Sequence, residues 1–113
     1  MARHILLVLT EPVAGMEDEY NDWYSNTHLR DVLKLDDFVS AQRFEHVKKH
    51  DEDVALRRYL AIYEAETDDV RETYKRLAAV GGTAAMPMSP AFDAPRTLGL
   101  YYKPITEKLT KEA

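Results

Sequence analysis

The chain has 113 residues, no cysteine, and 15 basic against 20 acidic side chains, for a formal net charge of −5. That length suits one domain that folds without a staple or a metal. The missing thiols exclude a disulfide scaffold, a thiolate metal site and a cysteine nucleophile, and they suit a reducing compartment such as the cytoplasm.

The acidic balance disfavours nucleic acid and anionic lipid as partners. No apolar run approaches the roughly 20 residues of a membrane span. "HILLVLT", His4 to Thr10, is a short apolar run without alternation and reads as a strand buried on both faces. The acidic "EPVAGMEDEY" behind it argues against a signal peptide. Pro12 and Gly15 end the strand. Glu17, Asp18 and Glu19 then favour a helix N-terminus, so a helix is expected from about Met16 to about Leu35.

"FVSAQRFEHVKK", Phe38 to Lys49, reads as a second strand, and "ALRRYLAIYEAE", Ala55 to Glu66, as a third. The polar turn "HDED", His50 to Asp53, would join them as a hairpin. Thr67, Asp68 and Asp69 offer N-caps, and Asp69 with Glu72 has capping-box spacing. Val70, Tyr74, Leu77 and Ala78 fall on one stripe of the next helix, which Gly81-Gly82 stops. "TAAMPMSPAFDAP", Thr83 to Pro95, has no period and reads equally as a lid over a pocket or as a surface connector. "TLGLYYKPI", Thr97 to Ile105, is the last expected strand. A single domain thus spans 1–105, and 106–113 form a polar tail.

The order is β-α-β-β-α-β, a ferredoxin-like α+β arrangement with a four-stranded antiparallel sheet and both helices on one face. The other face needs a cover. The first strand is apolar on both sides, so the economical cover is a second copy, a homodimer joined through the sheet face.

The first helix carries the sharpest chemistry. Residues four apart share a face, which aligns Tyr20, Tyr24 and His28, flanked by Trp23, Thr27 and Asp31. Phenols and an imidazole want hydrogen-bond partners when buried, and a cavity between helix and sheet would supply them. His28 titrates in the range useful for acid–base work. Its plain alternative is a half-exposed histidine bonded to Asp31 or to a backbone carbonyl.

On the third strand Tyr59 and Tyr63 share a face with Ala61 and Ala65, which leaves room for a flat guest. Arg43 could balance negative charge, while Arg57 and Arg58 read as solvated. Tyr101 and Tyr102 point opposite ways, so one at most reaches a pocket, and Met86 lies on the loop that could cover it. His4, His28, His46 and His50 lack metal-ligand spacing, and no glycine-rich loop precedes a helix, so no cofactor is expected.

The element order, "WYSNTHLRDVLKLDDFVSAQRF" and the closing "YYKPI" together resemble the dimeric α+β barrel superfamily, and within it the EthD-like group. The matching positions are Trp23, Tyr24, His28, Val32, Leu33, Phe38 and Arg43. Arg30 and Asp36-Asp37 depart from that group, which usually has proline two residues after the histidine and Pro-Gly before the second strand. The resemblance implies a ferredoxin-like protomer, a homodimer whose sheets form a barrel, and one pocket per protomer. The superfamily spans many reactions, so its fold does not fix one.

These features together point to a cofactor-independent enzyme of the isomerase, cyclase or lyase type that acts on a phenolic or conjugated carbonyl compound. His28 would move a proton, and Tyr24 with Tyr59 or Tyr63 would bond the substrate oxygen. Arg43 would offset developing charge, with Tyr20, Trp23, Tyr101 and Met86 lining the pocket. A cofactorless monooxygenase or a non-catalytic dimeric binding protein of the same fold are the alternatives.

Overall fold

The computed structural model describes residues 2–47 and 57–111. Strand β1 (Ala2–Thr10) is followed by helix α1 (Glu17–Trp23), a π-helical turn (Tyr24–His28) and helix α2 (Leu29–Leu33), which run on without a break. Then come β2 (Phe38–Glu45), β3 (Tyr59–Thr67), α3 (Val70–Val80), a 3₁₀ turn (Ala94–Arg96) and β4 (Leu98–Tyr102). The strands form one antiparallel sheet in the order β2-β3-β1-β4. This is the ferredoxin-like α+β fold that the element order predicts. The turn expected at His50–Asp53 lies outside the described residues.

Strand ends differ from expectation. β2 stops at Glu45 and β3 begins at Tyr59, while β4 stops at Tyr102, ahead of Pro104, which cannot donate to a ladder. The first helix ends at Leu33, short of Leu35.

Alternation sorts each strand into two faces. Leu6, Val8 and Thr10 of β1 and Ala61, Tyr63 and Ala65 of β3 face the helices, where most are buried. Paired register sets Ala41 and Leu6 on either side of Tyr63, and Arg43 and Val8 on either side of Ala61. A large ring therefore stands next to a small residue, and the layer is uneven by construction. Phe38, Val32, Tyr20 and Tyr24 complete this core, each large apolar side chain contributing about 1.5–3 kcal/mol by burial.

Helix α3 packs differently from the expected stripe. Tyr74 and Ala78 are exposed, and Thr73 is buried in their place. Its Oγ1 donates to Asp37 Oδ2 at 2.6 Å and lies 2.9 Å from Thr67 Oγ1, while Arg76 pairs with the same Asp37. A polar hub, not an aliphatic seam, thus holds the N-terminal half of α3 to the sheet. Asp69 caps the helix, its Oδ1 accepting from Arg71 N at 3.1 Å and Glu72 N at 3.3 Å. Arg58 is not simply solvated, since its Nε donates to buried Glu11 Oε1 at 3.0 Å.

The second face of the sheet carries Ile5, Leu7, Leu9, Leu60, Ile62 and Leu100, with Phe44 and Leu98 each 41% exposed and Tyr102 50% exposed. Arg3, Glu64 and Glu66 form ion pairs at one end of it. No described helix covers this face. Among the described residues no helix is long and apolar enough to cross a membrane.

Candidate functional site

The π-turn places the site. Tyr24 to His28 wind with i→i+5 bonding, which fits one more residue into the turn than an α-helix does. The turn keeps Tyr24 and His28 on the inner side, and both are buried, at 1% and 8% exposure. Trp23, at the turn's edge, stacks on the His28 ring with centroids 4.6 Å apart and planes 28° apart. Tyr24 meets the same imidazole edge-on at 5.0 Å. The imidazole is thus clamped between two aromatic rings.

Beside it lies a cavity of about 160 Å³ lined by Val8, Tyr24, His28, Val32, Tyr63, Leu77, Gly81, Met86, Met88 and Phe92. The first helix, the sheet, the C-terminal end of α3 and the 83–95 segment each supply a wall. Tyr63 donates its hydroxyl proton to Tyr24 Oη at 3.4 Å. The Tyr24 oxygen is used as an acceptor there, which leaves its own O–H free to donate.

His28 Nδ1 is buried without a hydrogen-bond partner. Burial lowers the His28 pKa to about 4, with the negative charge of Asp31 opposing the shift. Near neutral pH the ring is therefore uncharged. Asp31 does not bond the imidazole. Its Oδ1 accepts from Lys34 Nζ at 3.2 Å, and its Oδ2 is buried without a partner. Burial also raises the phenols: Tyr24 to about 12, and Tyr63 further still, with the Tyr24 hydroxyl adding to the rise. Both phenols stay protonated and act as donors.

Of the residues singled out from sequence, Tyr24, His28, Tyr63 and Met86 meet at this cavity. Trp23 stacks behind the imidazole, and its Nε1 donates to Pro87 O at 3.2 Å. The others are placed elsewhere. Tyr20 is fully buried and hydrogen-bonded to Thr10 Oγ1. The Tyr59 hydroxyl accepts from Asn21 Nδ2 at 3.3 Å, away from the cavity. Tyr101 faces the helices but stacks edge-on against Tyr74 at 5.6 Å.

Arg43 does not reach the cavity either, because Tyr24 stands in its way. Its guanidinium carbon lies 4.6 Å from the Tyr24 ring centroid and 5.2 Å from those of Tyr20 and Tyr59. Nη1 donates to Ser25 Oγ at 2.8 Å and Nη2 to Asn21 Oδ1 at 2.9 Å. Arg43 is thus a cation held in a cage of phenol faces. His46 is exposed beyond the end of β2 and takes no part in the cavity.

Sequence reasoning misses Val8, Leu77, Gly81, Met88 and Phe92 as lining residues. Met88 and Phe92 sit in a segment with no period to read. Leu77 is visible in the sequence as the inward residue of α3, and Val8 belongs to an apolar run whose inward members alternation would pick out.

Residues 5–86 match the family model DUF4286, described as a domain of unknown function. No curated protein matches the chain. Two solved structures share its fold. One is an arginine-to-serine mutant of MhuD with two manganese protoporphyrin IX molecules bound per active site, at TM-score 0.62 and 16% identity over 95% of this chain and 99% of that one. The other is At3g17210 from Arabidopsis thaliana, at TM-score 0.58 and 17% identity over 96% of this chain and 100% of that one. Both likenesses show a shared α+β fold for the protomer.

Proposed function

The chain belongs to the family DUF4286, a domain of unknown function, and we propose that this member is a cofactor-independent enzyme that moves a proton on a phenolic or conjugated carbonyl compound. Isomerisation, cyclisation and elimination all fit that step. The observation that carries the reading is His28: buried, uncharged near neutral pH, clamped by two rings, and on the wall of a cavity whose other polar groups are two phenols. The EthD-like resemblance of Trp23, Tyr24 and His28 supports it.

A neutral imidazole with a pKa of about 4 starts the cycle as a base, not as an acid. The substrate carbonyl or phenol oxygen accepts a hydrogen bond from Tyr24 O–H, and Tyr63 O–H backs that donor. His28 takes a proton from carbon or oxygen of the substrate. The negative charge that builds on the substrate oxygen is stabilised by the Tyr24 donor inside a low-dielectric site. The imidazolium is stabilised by the carboxylate of Asp31 and by the new substrate anion, and it returns the proton to a second atom. Arg43 acts through Tyr24: a cation over the ring face favours electron withdrawal from the phenol and makes it the better donor.

The MhuD mutant holds a tetrapyrrole, which is larger than the space enclosed here. A cavity of about 160 Å³ is the size that holds one benzene ring, and a porphyrin has four pyrrole rings. No step is routed through one.

Two copies would pair through the uncovered sheet face, and the absence of cysteine fits a cytoplasmic setting.

The test is exchange of substrate hydrogen with D₂O, read by mass spectrometry over a panel of phenols, enones and 1,3-dicarbonyls. The expected result is protein-dependent deuterium uptake, reduced by about 10²–10⁴-fold in His28→Gln. Full exchange in that variant overturns the role of His28. Saturable binding with no exchange makes the protein a binder without chemistry.

A further inference from the structure

The 83–95 segment has no regular element beyond a short 3₁₀ turn, yet it is tied down along its length. Gly82, at φ +85°, turns the chain so that its N–H donates to Met86 O at 2.8 Å, and Met86 N donates back to Thr83 O at 3.0 Å. The Trp23 indole holds Pro87 O. Val13 N donates to Ala91 O at 2.8 Å, Phe92 pairs with Pro12, and Ala91 is fully buried. Phe92 also packs edge-on against Trp23 at 5.7 Å. A segment anchored at these points is a fixed wall.

Between the anchors it presents two methionines to the cavity. Met86 is 2% exposed and closes the inner end, while Met88 is 37% exposed and stands at the outer end. Val8, Val32, Leu77 and Phe92 supply the remaining apolar wall, and polar side chains are confined to Tyr24, Tyr63 and His28. The guest must therefore have one oxygenated edge and an otherwise apolar body. The space of about 160 Å³ matches a single six-membered ring, since an apolar protein cavity of about 150 Å³ holds benzene.

The geometry points to Met86 and Met88 as the size gauge of this site, which restricts it to single-ring compounds carrying one oxygen on the edge that meets Tyr24. This rests on the His28 cavity being the binding site proposed above. It does not rest on the chemistry proposed there.

Isothermal titration with phenol, 2-naphthol and 9-anthrol separates the two, because binding rank is measured without turnover. Wild type is expected to bind phenol, to bind 2-naphthol at least about tenfold more weakly, and to reject 9-anthrol. Met86→Ala should reverse the preference between phenol and 2-naphthol. Met88→Phe, at a half-exposed position that tolerates the change, should weaken phenol by about tenfold. Affinity that rises steadily with ring number in wild type is simple hydrophobic partition and overturns the inference. So does a phenol isotherm unchanged in Met88→Phe, which decides the matter even where Met86→Ala fails to fold. Absence of any binding by phenol also overturns it, while deuterium exchange on a larger substrate would leave the proton-transfer reading standing.

Discussion

His28 sits where two forces oppose each other. Burial strips water from its ring and disfavours the charged form, and Asp31 recovers only part of that cost. Because the folded pKa is about 4 against 6.5 for an unperturbed imidazole, the unfolded chain binds the proton more readily between those values. Stability is therefore complete above pH 6.5 and declines as pH falls toward 4, by roughly 3 kcal/mol from this residue alone. Urea denaturation at pH 7.5, 5.5 and 4.5 measures it. His28→Gln should flatten that part of the profile, and an unchanged slope would show the imidazole to be solvated. The spacing of rings four apart is enough to single out Tyr24 and His28 from the sequence. It cannot place Arg43, because spacing along a strand says nothing about the phenols that come to lie between a guanidinium and a cavity. Tyr59 and Tyr101 are legible as inward residues, but not as residues at the wrong end of the sheet or on the far side of Tyr74.

At the level of elements, the π-turn is the part that periodicity hides. A template of 3.6 residues per turn runs smoothly through Tyr20, Tyr24 and His28, and nothing in "YSNTH" announces an extra residue. The expected α3 stripe fails for a related reason: Thr73 is polar by type but buried, because Asp37 and Thr67 meet its hydroxyl. Thr27 is exposed within the π-turn, and deleting it should let the turn relax into regular α-helix with the flanking segments in place. The expected outcome is unchanged or higher thermal stability with loss of ligand binding, checked by a melt and a titration on one sample. A deletion variant that binds as wild type does would make the turn incidental. The order of strands and helices, by contrast, is fully legible, since the apolar runs, the Asp69 cap and the Gly81-Gly82 stop each carry a local physical signal.

For the molecule as a whole, the sheet face that no described helix covers is the surface on which the proposed pairing is tested. Leu7, Leu100 and Ile62 form its centre, and an apolar surface of this kind marks an interaction site. Light scattering should return twice 13.0 kDa for wild type, and Leu7→Glu should return the single mass, because an unpaired carboxylate in an interface centre costs more than a leucine contributes. A wild type that elutes as one copy at micromolar concentration would refute the pairing. The described walls of the cavity lie on the opposite side of the sheet from that face. In the proposed dimer the sheet would part the guest's lodging from the seam between copies. Sites separated in this way are expected to fill independently, so saturation curves should follow a simple hyperbola with a Hill slope of one at every dilution.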